Sequence, residues 1–195
     1  MGIRSFVAIK VPDLITPQLV GLQRELQKAP VKVRWVEPQN FHLTLHFIGD
    51  IEPDQVEKTI EELNNAVQGF PPFSLNFAGV GGFPREGKLR VIWAGVGRGQ
   101  KELLELQPLV LQALQKAGVA DEGGKNKFHP HLTLGRIKGK PNTRSLRVLL
   151  EEQRGFVSAD FSVSSLQLFK SQLTPEGPVY SVLEEISFRD CTLDK

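Results

Sequence analysis

Of the four histidines in the chain, two open the same tetrapeptide: HLTL stands at residues 42–45 and again at 131–134. On an extended strand, side chains two apart share a face. His42, Thr44 and His46 would therefore point one way, with Leu43, Leu45 and Phe47 filling a core. In the second copy His129, His131 and Thr133 share a face, and Leu132 and Leu134 lie behind it. Each motif presents one imidazole beside one hydroxyl. Two such pairs across a cleft give two acid/base groups that titrate near neutrality and two hydroxyl donors. A phosphate diester suits this array, since one histidine can take a proton while the other gives one, and hydroxyls can stabilise the charge that develops.

Other chemistries find less support. As metal ligands, His42 and His46 on one strand would stand roughly 13 Å apart, too far to share an ion. The helical HExxH zinc motif needs a glutamate where Leu43 stands. The expectation is no metal and no cofactor. The G-x-S-x-G serine elbow is absent, and Cys191 sits in a polar tail. GVGGFPREG and GVGRGQ lack the P-loop ending and read as loops, although Arg85 in the first could reach a phosphate. His46 and His129 have no counterpart at the matching position, so they read as structural or peripheral.

The elements that would carry the motifs recur in both halves. FVAIKV reads as a strand, followed by helical spacing at Leu19, Leu22 and Leu26. FHLTLHFIG is a strand, punctuated by Gly49 and Pro53; a helix with Val56, Ile60, Leu63 and Val67 on one face follows. The second half repeats the order: RVIWAGV, a helix that Pro108 could kink, the strand HPHLTLGRI, and a short helix in TRSLRVLLEE. PFSLNFAGV and DFSVSSLQLF continue the two halves, and VYSVLEEISF closes the chain. His42 to His131 spans 89 residues and Phe73 to Phe161 spans 88, a nearly constant offset that marks an internal duplication. Two copies imply similar lobes about a pseudo-twofold axis, with equivalent segments facing each other across a cleft. Residues 1–195 are thus expected to form a single domain of two similar, interleaved lobes.

Composition agrees with an ordinary globular chain. A net charge of +2 over 195 residues does not announce nucleic-acid binding, and the basic clusters GKNK and GRIKGK read as solvated surface. No apolar run reaches membrane-spanning length. The start lacks a signal-peptide core, Phe6 stands where a myristoylation signal wants Ser or Thr, and CTLDK is not a prenylation box. One cysteine excludes an internal disulfide and points to a reducing cytosol.

FHLTLHFIG and FHPHLTLGR resemble the paired HxTx motifs of the two-histidine (2H) phosphoesterases. The nearest branch is the bacterial and archaeal RNA 2′,3′-cyclic phosphodiesterases, historically called 2′-5′ RNA ligases. RSFVAIKVP, GGFPREGKLRVIWAGV and SSLQLFKSQLTPEGPVYSVL extend the resemblance along nearly the whole chain. It implies a bilobal, duplicated α+β fold: an antiparallel sheet in each lobe, helices outside, and the active groove between the lobes. It also implies metal-independent opening of a 2′,3′-cyclic phosphate RNA end, tRNA halves included, to a 2′-phosphate, with small cyclic nucleotides as model substrates. By the same resemblance His42 is the proton donor, His131 the proton acceptor, Thr44 and Thr133 bind phosphate oxygens, and Arg136 helps hold the phosphate. A 2′-5′ RNA ligase uses the same chemistry in reverse, and a non-catalytic RNA-end-binding module would keep the same groove. Among the aromatic residues Phe6, Phe41, Trp93 and Tyr180 could stack on a base; the sequence singles out none of them.

Overall fold

Each half of the chain runs strand, helix, strand, helix and two further strands, with one extra short strand before the motif strand of the first half and one extra strand at the end of the second. In the first come β1 (Ile3–Lys10), α1 (Thr16–Leu26), β2 (Val33–Trp35), β3 (His42–Ile51), α2 (Pro53–Val67), β4 (Phe73–Leu75) and β5 (Phe77–Phe83). In the second come β6 (Val91–Val96), α3 (Gln100–Ala117), β7 (His131–Ile137), α4 (Arg144–Glu152), β8 (Phe161–Val163), β9 (Ser165–Leu173) and β10 (Pro178–Ser187). The computed structural model describes residues 2–84, 87–120, 128–139, 141–175 and 177–188. Arg85, the GKNK segment and Cys191 lie outside the described residues.

Local chemistry sets several boundaries. A capping box between Glu52 and Gln55, with Pro53 in the first turn, starts α2 immediately after β3. Gly118, at φ 78°, ends α3 in the left-handed conformation a glycine adopts without penalty. Pro108 lies inside α3 and the helix runs through it, its buried side held by Leu103, Leu106, Val110 and Leu114. No helix among the described residues is long and apolar enough to cross a membrane.

The strands pair antiparallel in the order β10-β9-β1-β3-β7-β6-β5, with β2 beside β7. β3 and β7 meet through one register pair, Leu43 with Leu132, so the sheet divides there into two lobes. Each lobe borrows a strand. β9, from the second half, flanks β1, and β5, from the first, flanks β6. PFSLNFAGV and DFSVSSLQLF each break into two strands for this reason: β4 pairs with β8, and the chain then passes on to the other lobe.

The pairing also locates the symmetry axis. Leu43 and Leu132 are equivalent residues of the two HLTL motifs, and they pair with each other. Ser74 and Ser162, 88 apart, also pair with each other. Equivalent positions can pair mutually only on a twofold axis, so the axis passes through both pairs.

One face of the sheet carries the main core, where Val7, Ile9, Leu43, Leu45, Leu132 and Leu134 pack on Leu19, Leu22, Leu63, Leu103 and Leu146 of the four helices. The opposite face carries a smaller cluster of Phe6, Ala8 and Phe169, with Tyr180 against it. Helices cover the first face. The second is left for the HxTx side chains.

Candidate active site

Leu43 and Leu132 are buried at the seam between the lobes, and their neighbours along each strand point to the opposite face. Carrying the antiparallel register one residue either way sets His42 beside Thr133 and Thr44 beside His131. Two imidazoles and two hydroxyls thus surround one point on the axis. Directly opposed side chains on such strands lie about 5 Å apart and diagonal ones about 7–8 Å. The histidines occupy the diagonal, on opposite sides of that point.

Both imidazoles are oriented in the same way. His42 Nδ1 lies 2.7 Å from the Asn40 carbonyl oxygen, and His131 Nδ1 lies 2.7 Å from that of His129. A carbonyl only accepts, so each Nδ1 carries the proton it donates. That leaves Nε2 of each ring as the nitrogen able to act as a base when neutral and an acid when protonated. Asn40 closes a 3₁₀ turn at Pro38–Asn40, and its side-chain amide donates to the Pro178 carbonyl at 3.2 Å, tying this loop to β10.

A bulge in each motif strand decides what else reaches the groove. In β3 the partner of Thr44 is Ala8 and that of His46 is Val7, so Leu45 is an extra residue. Val7 belongs to the main core, and His46 is turned to that side. The expectation that His46 shares a face with His42 is therefore corrected: strict alternation fails where two residues oppose one. The same bulge reverses Phe47. Expected in the core, it pairs with Phe6 on the groove face and is 65% exposed. β7 does the same. Thr133 pairs with Trp93, Gly135 with Ile92 and Arg136 with Val91, so Leu134 is extra and Arg136 comes round to the face of His131. Gly135 is turned to the core, where a Cβ would lie 2.7 Å from Val33 Cγ1.

His42, Thr44, His131, Thr133 and Arg136 are thus gathered on one face. His129 is not: it precedes β7, stands exposed, and lies at the rim with its ring 6.5 Å from Phe83. Aromatic rings, only partly legible in the sequence, flank both imidazoles. His42 meets Phe6 at 4.8 Å and the edge of Tyr180 at 5.2 Å. His131 meets Phe83 edge-on at 5.2 Å, and Phe83 rests on Trp93 at 5.3 Å. Phe41 is buried in the main core, away from the groove. The Trp93 indole N–H is buried without a protein hydrogen-bond partner.

Electrostatics treat the histidines alike in direction. Burial pushes His42 below its ordinary range; the Asn40 hydrogen bond opposes this, and the Arg136 charge adds to it. Burial likewise lowers His131, the His129 carbonyl opposes, and Arg136 and the His129 ring lower it further. The Arg136 charge bears on both rings and on the Tyr180 phenol, from the face to which the β7 bulge returns it. Arg34, its cross-strand partner on β2, acts on the same phenol. Burial and the Arg136 charge thus both favour the neutral form of the two imidazoles.

The sequence model of the LigT like phosphoesterases matches the chain twice, over residues 9–93 and 96–180. The RNA 2′,3′-cyclic phosphodiesterase of Aeropyrum pernix is 38% identical over 169 residues, covering 87% of this chain and 94% of that one. The protein of the same name from Methanothermobacter thermautotrophicus is 32% identical over 184 residues, covering 94% and 98%. Among crystal structures, a Thermus thermophilus protein, TT0787, superposes with a TM-score of 0.77 at 26% identity, covering 95% of this chain and 98% of that one. Escherichia coli LigT complexed with 3′-AMP superposes at 0.75 with 22% identity, covering 96% and 99%, and shares the fold. Each half of the chain carries one copy of the matched motif, and together they make this protein a member of the LigT-like 2H phosphoesterase family.

Proposed function

We propose that the protein opens terminal 2′,3′-cyclic phosphates of RNA to 2′-phosphates, without a metal, by general acid–base catalysis from His42 and His131. The observation that carries this is the ring of two imidazoles and two hydroxyls about the Leu43–Leu132 pair. Full-length relatives bearing that activity as their name support the substrate class.

In-line displacement at phosphorus needs an attacking oxygen and a leaving oxygen on opposite faces, and the diagonal supplies one Nε2 to each. Water gives a proton to His131 Nε2 as its oxygen bonds to phosphorus. The P–O3′ bond breaks, and the departing oxygen takes the proton from His42 Nε2. Thr44 and Thr133 donate to the non-bridging oxygens and Arg136 neutralises their charge. The assignment of His42 as acid rests on the family resemblance, not on burial, since burial disfavours its protonation. The substrate's own negative charge supplies the missing stabilisation: an anion between the rings favours the imidazolium form.

With the 5′-hydroxyl of a second RNA end attacking in place of water, the same residues would join the ends through a 2′-5′ bond as the P–O3′ bond breaks. The two lobes form one domain in this reading, because neither sheet is complete without a strand of the other half. A reducing cytosol is the proposed setting, from the single cysteine, and RNAs cut to leave cyclic ends, tRNA halves among them, are the proposed substrates. The test is to incubate the protein with adenosine 2′,3′-cyclic phosphate under exhaustive chelation and separate the monophosphates chromatographically. Predominant 2′-phosphate is expected. No ring opening sinks the proposal, and rescue by zinc or manganese would replace it with a metal mechanism.

A further inference from the structure

One buried polar side chain reaches both halves of the site from behind the sheet. Gln23 stands in α1 among Leu19, Leu22 and Leu26 and is 4% exposed. A glutamine in such a core must find hydrogen-bond partners, and its amide nitrogen carries two hydrogens to give. Gln23 Nε2 donates to the Leu134 carbonyl and to the Val36 carbonyl, each at 2.9 Å. The Leu134 carbonyl also accepts from the Val36 N–H at 2.9 Å, which uses both of its lone pairs.

Both carbonyls bear on the groove. Leu134 is the extra residue of the β7 bulge, and that bulge returns Arg136 to the face of His131. Val36 directly follows β2, and the chain runs from it through the Pro38–Asn40 turn to the carbonyl that holds His42. Gln23 therefore grips the distortion that aims Arg136 and the root of the loop that orients His42. It does so across 111 residues of sequence from Leu134, joining the two halves of the chain. The counterpart helix α3 buries only apolar side chains, Leu103, Leu106, Val110, Ala113, Leu114 and Ala117. The clamp thus serves one bulge of the two, the one that aims a cation. We propose that Gln23 is a positioning residue for ring opening, its amide holding the β7 bulge and the Asn40 loop so that Arg136 and His42 meet one phosphate. Without the amide each carbonyl loses a donor and the bulge is free to relax.

This rests on the activity proposed above, and the measurements separate the two. Gln23→Met keeps the length of the side chain and removes both donors. It should stay folded by circular dichroism with a lower Tm. Its kcat/KM for adenosine 2′,3′-cyclic phosphate should fall about tenfold, within what a displacement of about 1 Å costs. In the Arg136→Gln background the same change should cost about threefold or less, because the group it misplaces is already gone. Arg136 and the His129 ring both lower His131. The His131 titration, followed by nuclear magnetic resonance, should therefore rise in Gln23→Met and rise no further when Gln23→Met is added to Arg136→Gln. A glutamine that only stabilises the core would lower Tm alone. Unchanged kcat/KM with an unmoved His131 titration in folded Gln23→Met overturns the proposal, as does full additivity with Arg136→Gln. Gln23→Asn, one methylene shorter, is read in the same way should Gln23→Met fail to fold. If the wild type opens no cyclic phosphate, the activity fails, and the His131 titration alone decides whether the clamp aims Arg136.

Discussion

Around His42 stand Phe6, Phe169 and Tyr180, with ring centroids 4.8, 6.1 and 5.2 Å away, whereas His131 meets Phe83 at 5.2 Å and has the rim histidine His129 nearby. The two imidazoles share a motif, a strand position, a bulge and a 2.7 Å tether to the carbonyl two residues back. What has diverged is everything that touches the rest of a substrate. Arg136 on one strand is matched by Phe47 on the other, and Gly135 by His46. Duplication supplies two Nε2 atoms on opposite sides of one point, which is what in-line displacement requires. Divergence of the flanks then tells the two sides apart. A symmetric site could not choose which ribose oxygen leaves.

The largest effects should come from the part the halves share. His42→Ala and His131→Ala should each lower turnover about a hundredfold or more, the usual worth of a positioned acid or base. Both rings lie on the groove face while the leucines pack, so circular dichroism should show folded variants. Near-wild-type turnover in either folded variant would end the two-histidine mechanism. Next comes Arg136→Gln, expected to cost about tenfold or more through loss of a charge-assisted contact to phosphate. Because Arg136 lowers both histidines, its removal should also move both limbs of the kcat/KM–pH profile to higher pH. A profile that kept its position would place the guanidinium outside the catalytic centre.

The wild-type profile carries a prediction of its own. In the free enzyme both histidines are lowered from an ordinary 6.5, so the bell in kcat/KM, which reports the free enzyme, should have its limbs on the acid side of that value. The kcat profile reports the complex, where the substrate anion favours imidazolium, and should lie at higher pH. Coincident profiles would mean the bound phosphate does not touch the histidines' titration. The limbs belong to the coupled pair rather than to either ring.

Much of this was legible in the residues. The 89-residue offset between the motifs and the leucine alternation within them give the duplication and the core side of β3 and β7. Three other things were hidden. Alternation sends His46 to the groove and Phe47 to the core, and the structure has both reversed, because Val7 on the neighbouring strand faces Leu45 and His46 together. That bulge is a property of the pairing, invisible until β1 lies beside β3. Counting by twos from His131 would likewise turn Arg136 to the core. Here a signal existed, since an isolated glycine within a strand often marks a bulge or a close approach, and Gly135 is both. The exchange of β5 and β9 between lobes was also hidden, as strands of similar composition carry no mark of which sheet they join.

The smallest expected effects separate the two tethers. Asn40 holds His42 through its carbonyl, and its amide fixes that carbonyl to Pro178 at 3.2 Å. Asn40→Ala keeps the carbonyl and removes the brace, a loss of about 1 kcal/mol or less at a partly exposed hydrogen bond. Turnover should fall a few-fold, with KM nearly unchanged. The informative readout is the titration of each imidazole by nuclear magnetic resonance, with four histidines assigned by single substitutions. The Asn40 hydrogen bond raises His42, so a looser tether should lower it while His131 stays in place. His129→Ala should do the opposite on the other side: the His129 ring lowers His131, and deleting it leaves the carbonyl and lets His131 rise. Shifts of opposite sign in the two variants would show that the tethers are equivalent in form but braced differently. If both variants moved their histidine in the same direction, or Asn40→Ala shifted both rings together, the brace would belong to the groove as a whole rather than to His42.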